Sequence, residues 1–208
     1  MGRILVLAGV NGAGKSSLLG TWLEQEGLSW FNPDSFTRAL VDAGWELGEA
    51  NAAAWNEGAR RLRQAMADGG DFAFETTLGG NTIPQLLRQA CQSHEVAIWF
   101  CGLDSVERHI ARVTARVAAG GHDIPHDKIR ARFDTARENL IELLPHLAEL
   151  HVYDNSAPAD AQGRVEPLPL LQVDRSGLHY PVSVAELLHT PDWAKPIVMR
   201  AMELHGGG

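Results

Sequence analysis

Eight residues near the amino terminus, Gly9-Val10-Asn11-Gly12-Ala13-Gly14-Lys15-Ser16, restrict what this chain can fold into more than any other stretch. They match the phosphate-binding pattern G-x-x-x-x-G-K-[ST], and the flanking sequence fits it too. Arg3-Ile4-Leu5-Val6-Leu7-Ala8 is a short, almost unbroken apolar run of the kind a buried parallel strand shows. After the loop, Leu18, Leu19, Trp22 and Leu23 recur at helical spacing. Glycines without a Cβ let bare backbone approach a polyphosphate, and loop N–H groups with the positive end of the next helix attract the anion. Lys15 supplies a point charge for the β- and γ-phosphates, and the Ser16 hydroxyl suits Mg²⁺. Gly9, Asn11, Gly12, Ala13, Gly14, Lys15, Ser16 and Ser17 are therefore the candidate nucleotide-binding residues.

The rest of the composition narrows the class. A chain of 208 residues has room for one well-cored domain, and 45% hydrophobic with 21% charged residues describes a water-soluble globular protein. No apolar run approaches the roughly 20 residues that a membrane helix needs. The glycine loop also interrupts any secretory signal pattern at the start. A net charge of -8 argues against a nucleic-acid partner held by phosphate neutralisation. Cys91 and Cys101 are the only cysteines and read as core residues, so the expected compartment is a reducing cytoplasm.

Further along, Trp30-Phe31-Asn32 is expected to form the second strand, ended by Pro33, which places Asp34 at the carboxyl edge of the sheet. Two readings of Asp34 fit: a carboxylate facing a reacting hydroxyl, or, with Ser35, the cap of the following helix. Ala52 to Met66 is an amphipathic helix, with Trp55 on its expected core stripe. Phe72-Ala73-Phe74 is an apolar strand ending in Glu75, followed by Thr76 and Thr77. A carboxylate at a buried strand end needs a cation, a metal-bound water or donors nearby. Glu75 is thus a candidate for holding Mg²⁺ or substrate, and Thr76 and Thr77 for binding substrate or phosphate. Strand, helix, strand repeats over the first 100 residues, the pattern of a parallel α/β sheet sandwiched by helices.

From Ser105 a helix carries Arg108, Arg112 and Arg116 four apart, and after Gly120-Gly121-His122-Asp123-Ile124-Pro125 a second helix, Asp127 to Leu144, carries Lys128, Arg130, Arg132 and Arg137. Such a density of arginines around a glycine turn in an acidic chain suggests a helical lid over about 105–145 that closes cations on a transferring phosphate. Arg112, Arg116, Arg130 and Arg132 are the candidates for that role, whereas Arg108, Lys128 and Arg137 read as solvated. Asp154 and Asn155 end the last core strand, where they either contact the nucleotide base or form a turn. The remainder reads as a hairpin around Arg175-Ser176-Gly177 and two helical pieces.

Taken in order, the loop, Asn32-Pro33-Asp34, Phe74-Glu75-Thr76-Thr77-Leu78, Arg112-Val113 to Arg116-Val117, Gly120 to Pro125 and Tyr153-Asp154-Asn155-Ser156 resemble the zeta-toxin family of P-loop kinases. The resemblance spans residues 8 to 156 of a single domain and leaves a C-terminal extension, about 157–208, unmatched. It implies a phosphotransferase that uses ATP or GTP with Mg²⁺, with a small hydroxylated acceptor such as UDP-N-acetylglucosamine, and a small antitoxin protein as partner. By the same resemblance Lys15 would bind phosphates and Ser16 the metal, Asp34 would be the base, and Glu75 and Thr77 would hold the acceptor. Arg116 with Arg130 or Arg132 would be the catalytic lid arginines. The competing class is a nucleotide-hydrolysing switch acting on a protein partner. Against it, the sequence has neither an apolar run ending in paired Asp-Glu nor a separate effector segment.

Overall fold

A computed structural model describes residues 1–16, 29–121, 123–158 and 165–205. The apolar run forms β1 (Arg3–Ala8), and α1 (Pro33–Asp42) and α2 (Leu47–Asp68) precede β2 (Phe72–Thr76). Then come α3 (Thr82–Ala90), β3 (Glu95–Gly102), α4 (Val106–Ala118), α5 (His126–Leu143) and β4 (Glu149–Asp154). The chain closes with β5 (Leu168–Asp174), β6 (Gly177–Tyr180), α6 (Val184–Leu188) and α7 (Lys195–His205). The helix expected directly after the glycine loop, and Ser17 with it, lie outside the described residues.

The strands make one six-stranded sheet in the order β2-β1-β3-β4-β5-β6. β2, β1, β3 and β4 are parallel, as expected from the alternating pattern. β5 and β6 add antiparallel, so the sheet is mixed. The hairpin accounts for the second of these pairings: a tight turn can join only antiparallel neighbours. In that turn Asp174 Oδ1 accepts from the Ser176 amide and hydroxyl.

The expected second strand is reduced to a single rung. Phe31 bridges Phe74, donating to Ala73 O and accepting from Glu75 N, and no ladder follows. The next residues explain the stop: Pro33 offers no N–H, and Asn32 begins α1 by accepting from Asp34 N and Ser35 N through Oδ1. Asn32, rather than Asp34 or Ser35, is the cap. The Asp34 carboxylate is thereby left to face across the crevice.

Side chains of β1 alternate between two cores, as the two-residue strand period requires. Ile4, Val6 and Ala8 join the main cluster with Leu62 of α2, Leu87 of α3, Leu140 of α5 and Ile197 of α7. Leu5 and Leu7 meet Ala97 and Trp99 on the opposite face. Leu170, Val173, Trp193 and Val198 join the main cluster too, so the described part of the chain beyond 157 shares the main core. Trp193 is buried beside Phe100, and a Cβ on Gly102 would meet its indole at 2.3 Å. Trp193→Ala is expected to cost about 3–5 kcal/mol of stability, the usual penalty for emptying a buried indole site, measured by urea unfolding.

Candidate active site

Register places the candidate residues on one edge. Leu7 pairs with Glu75, Ala8 with Thr76 and Phe100, and Gly102 with Asp154, so the glycine loop leaves β1 at the carboxyl edge shared by all four parallel strands. That edge is the ligand crevice of open parallel sheets. Gly9 turns the chain at φ 137°, and a Cβ there would lie 2.1 Å from Cys101 O. Only glycine fits this approach.

The loop is braced from behind. Ala13 O accepts from Asn155 Nδ2 at 2.8 Å and from Cys101 Sγ at 3.2 Å. Asn155, expected with Asp154 to contact the base or form a turn, lies in a turn in which Ser156 N donates to Asp154 Oδ1, and its own amide supports the loop backbone. Cys101 is a free, buried thiol pushed up to about 12 mainly by burial, so it acts as a core residue and weak donor. On the other side, Asn11 O lies 2.9 Å from His109 Nδ1, and Asn11 Oδ1 accepts from Arg132 Nη1 at 2.7 Å.

Glu75 is the hub of the crevice. The residue is only 9% exposed, with Lys15 Nζ 3.4 Å from Oε1 and the Ser16 hydroxyl donating to Oε2 at 2.6 Å. Asn32 Nδ2 donates to the same Oε2 at 3.2 Å. A buried carboxylate is tolerated because a cation and two donors replace its water. Asp34 stands nearby, with Oδ2 3.4 Å from Arg116 Nη1. Buried Arg116 Nε and Nη2 find no hydrogen-bond partner among the described residues.

The four candidate lid arginines separate. Arg116 and Arg132 face the crevice through Asp34 and Asn11. Burial lowers the Arg132 guanidinium from its ordinary value, while nearby Asp34 acts in the opposite direction. Arg112 donates to Asn155 O at 2.7 Å, on the loop side rather than among the cavity-lining residues. Arg130 points away, pairing with exposed Glu107 at 2.9 Å. Its place on the outer face of α5 follows from helix geometry, since two positions separate it from Arg132 by more than half a turn.

A cavity of about 280 Å³ joins these groups, lined by Lys15, Asp34, Glu75, Thr76, Thr77 and Arg132. Thr76 and Thr77 accept from Leu78 N and Gly79 N, which leaves their hydroxyl protons to donate elsewhere. The far wall was not read from the sequence. It is the α2 stripe Asn51, Ala54, Trp55 and Gly58, together with Lys128 of α5. Trp55, expected in the core, is 48% exposed on this wall, and Lys128, exposed as expected, also lines the cavity. Two small residues at helical spacing beside Asn51 and Trp55 were the available signal for a ligand wall. Buried Thr37 donates to Asn51 Oδ1 at 3.3 Å and so orients that amide. Among the described residues no cluster of three metal-ligating side chains of the His, Cys, Asp and Glu type occurs, and His122 lies outside them. Likewise, no described helix is long and apolar enough to cross a membrane.

Solved structures share this fold. A chain of the AvrRxo1-ORF1:AvrRxo1-ORF2 complex with ATP superposes with a TM-score of 0.64 at 17% identity, over 90% of this chain and 62% of that one. A chain of the PezAT chromosomal toxin-antitoxin system of Streptococcus pneumoniae superposes with a TM-score of 0.53 at 14% identity, over 100% of this chain and 79% of that one. The fold is that of a P-loop kinase. It resembles the zeta-toxin kind, as the ordered motifs imply. This chain thus spans less than two thirds of the length of the AvrRxo1 chain. By sequence, an uncharacterized protein of Haemophilus influenzae is 28% identical over 141 residues, covering 63% of this chain and 92% of that protein. No protein-family model matches.

One buried group of the site gives a pH signature. Burial, followed by the charges of Lys15 and Arg112, pushes His109 down to about 4, with its hydrogen bond to Asn11 opposing the shift. The folded state therefore resists a proton that the unfolded chain takes up near the ordinary value of 6.5. The associated stability is present above pH 6.5 and is lost as pH falls toward 4, a loss on the order of 3 kcal/mol. In urea unfolding between pH 7.5 and 4.5, His109→Asn is expected to lose clearly less stability than the parent chain.

Proposed function

We propose that the chain is an ATP- or GTP-dependent phosphotransferase that moves a γ-phosphoryl group to a hydroxyl of a small metabolite. The observation that carries this reading is the cavity in which the P-loop Lys15 and the carboxylates Asp34 and Glu75 meet under Arg132. A hydrolytic switch needs a place for water; a cavity of about 280 Å³ with an aromatic and amide wall has room for an organic acceptor. A nucleotide sugar such as UDP-N-acetylglucosamine is one acceptor that the zeta-toxin resemblance supports. The two-component assemblies of the AvrRxo1 and PezAT relatives support an antitoxin-like protein partner.

Each residue then has a role. Loop amides and Lys15 hold the β- and γ-phosphates, and Asp34 accepts the proton of the acceptor hydroxyl as it attacks. The Arg116 guanidinium beside Asp34, with Arg132 above the loop, would supply positive charge for the transferring oxygens. Thr76 and Thr77 donate to the acceptor, and Asn51, Trp55 and Lys128 shape its far end. The Ser16 hydroxyl and Glu75 carboxylate, 2.6 Å apart, are oxygen donors that fit Mg²⁺. When bound with the nucleotide, Mg²⁺ would supply charge neutralisation at the β- and γ-oxygens. Arg112 braces the loop side, and Arg130 has no role in this scheme.

Incubation with labelled ATP and a panel of nucleotide sugars, nucleosides and other hydroxylated metabolites tests the reading. A labelled organic product is expected; release of phosphate alone, stimulated by a protein, would favour the switch. Asp34→Asn should lower transfer by at least about 100-fold while ATP affinity stays within a few-fold of the parent. Trp55→Ala should raise the acceptor KM about tenfold with little change in KM for ATP, since Trp55 lines the cavity assigned here to the acceptor.

A further inference from the structure

His109 is the one buried histidine that touches the phosphate loop, and the kinase reading gives it no task. It sits on α4 at 1% exposure, with Nδ1 2.9 Å from Asn11 O. A carbonyl only accepts, so Nδ1 carries the proton and donates. The ring also stands edge-on to Phe133 of α5, with centroids 5.7 Å apart. Loop, α4 and α5 therefore meet at this imidazole.

The consequence follows from the planarity of the peptide. In a trans peptide the C=O of Asn11 and the N–H of Gly12 point in opposite directions within one plane. A donor that fixes the carbonyl toward α4 thereby aims the Gly12 amide away from α4. The same geometry holds two peptides on, where Asn155 Nδ2 fixes Ala13 O and so sets the Gly14 amide. Gly12 rests directly on α4: at φ 83°, an added Cβ would lie 2.8 Å from His109 O and 3.4 Å from Arg112 Cβ. The loop cannot tilt back to compensate. Meanwhile Arg132 Nη1 secures the Asn11 side chain at 2.7 Å, so the residue is gripped from both helices.

We propose that His109 is a positioning residue for the nucleotide: its Nδ1–H holds the Asn11–Gly12 peptide in the orientation that presents the Gly12 amide to a bound phosphate. This rests on the kinase reading only in taking the loop as the nucleotide site. It departs from the lid expectation, because α4 here serves as the platform on which the loop is built.

The test compares His109→Asn, His109→Gln and His109→Phe in the full chain. The asparagine amide overlays Nδ1 and keeps the donor, the glutamine amide overlays Nε2 and misplaces it, and phenylalanine keeps the ring without a donor. Calorimetric ATP affinity is expected within about threefold of the parent for Asn and about tenfold weaker for Gln and Phe, the worth of one buried hydrogen bond. KM for the acceptor should stay within about twofold in all three. Equal ATP affinity for Asn and Gln, or weakening of ATP and acceptor together, would overturn the proposal, and the Asn and Gln pair decides it even where Phe does not fold. Failure of the parent chain itself to bind ATP would instead overturn the kinase reading.

Discussion

Everything at the carboxyl edge of this sheet depends on a negative charge that cannot reach water. Glu75 ends a buried strand, and its carboxylate is stable there only because Lys15, Ser16 and Asn32 converge on it. Those three come from two segments, the end of the glycine loop and Asn32, sixteen residues apart. By satisfying one carboxylate they fix the end of the glycine loop against the start of α1. The same residues that make burial tolerable are those a nucleotide would recruit, so binding competes for partners that already exist. That arrangement keeps the site ordered before any ligand arrives.

The support beneath the loop is of a different kind. Donors behind the chain, from His109, Asn155 and Cys101, take up the carbonyls of Asn11 and Ala13. Front and back are thus divided by chemistry, with cations and amides toward the ligand and uncharged donors toward the core. An uncharged imidazole suits the second group, since a positive charge buried there would cost stability without meeting an anion.

Much of this was legible in the sequence. The glycine loop, the strand that precedes it and the Glu75-Thr76-Thr77 strand end are local patterns whose meaning does not depend on distant residues. Asp34 was placed at the right edge, although the cap proved to be Asn32 and the expected strand a single rung. What escaped was tertiary. Nothing in a helical repeat of arginines tells which face meets the loop and which meets Glu107, so Arg130 and Arg132 could not be separated. Trp55 reads as core by periodicity, and only the packing of α2 beside α1 leaves its face open to the crevice. The structural role of the last forty or so residues was equally hidden, because Trp193 meets Phe100 across a separation that no local pattern spans.

The two margins of the sheet carry a further consequence. On one side pairing beyond β2 stops after the single Phe31 rung, because Pro33 follows. On the other, β6 is four residues long and is followed by Pro181. Neither margin, among the described residues, offers a long row of unpaired amides to another chain. A strand from a second molecule would find one or two ladder bonds before meeting a proline that cannot donate. The same residues that begin α1 and so aim Asp34 into the crevice also keep the sheet from templating its own aggregation.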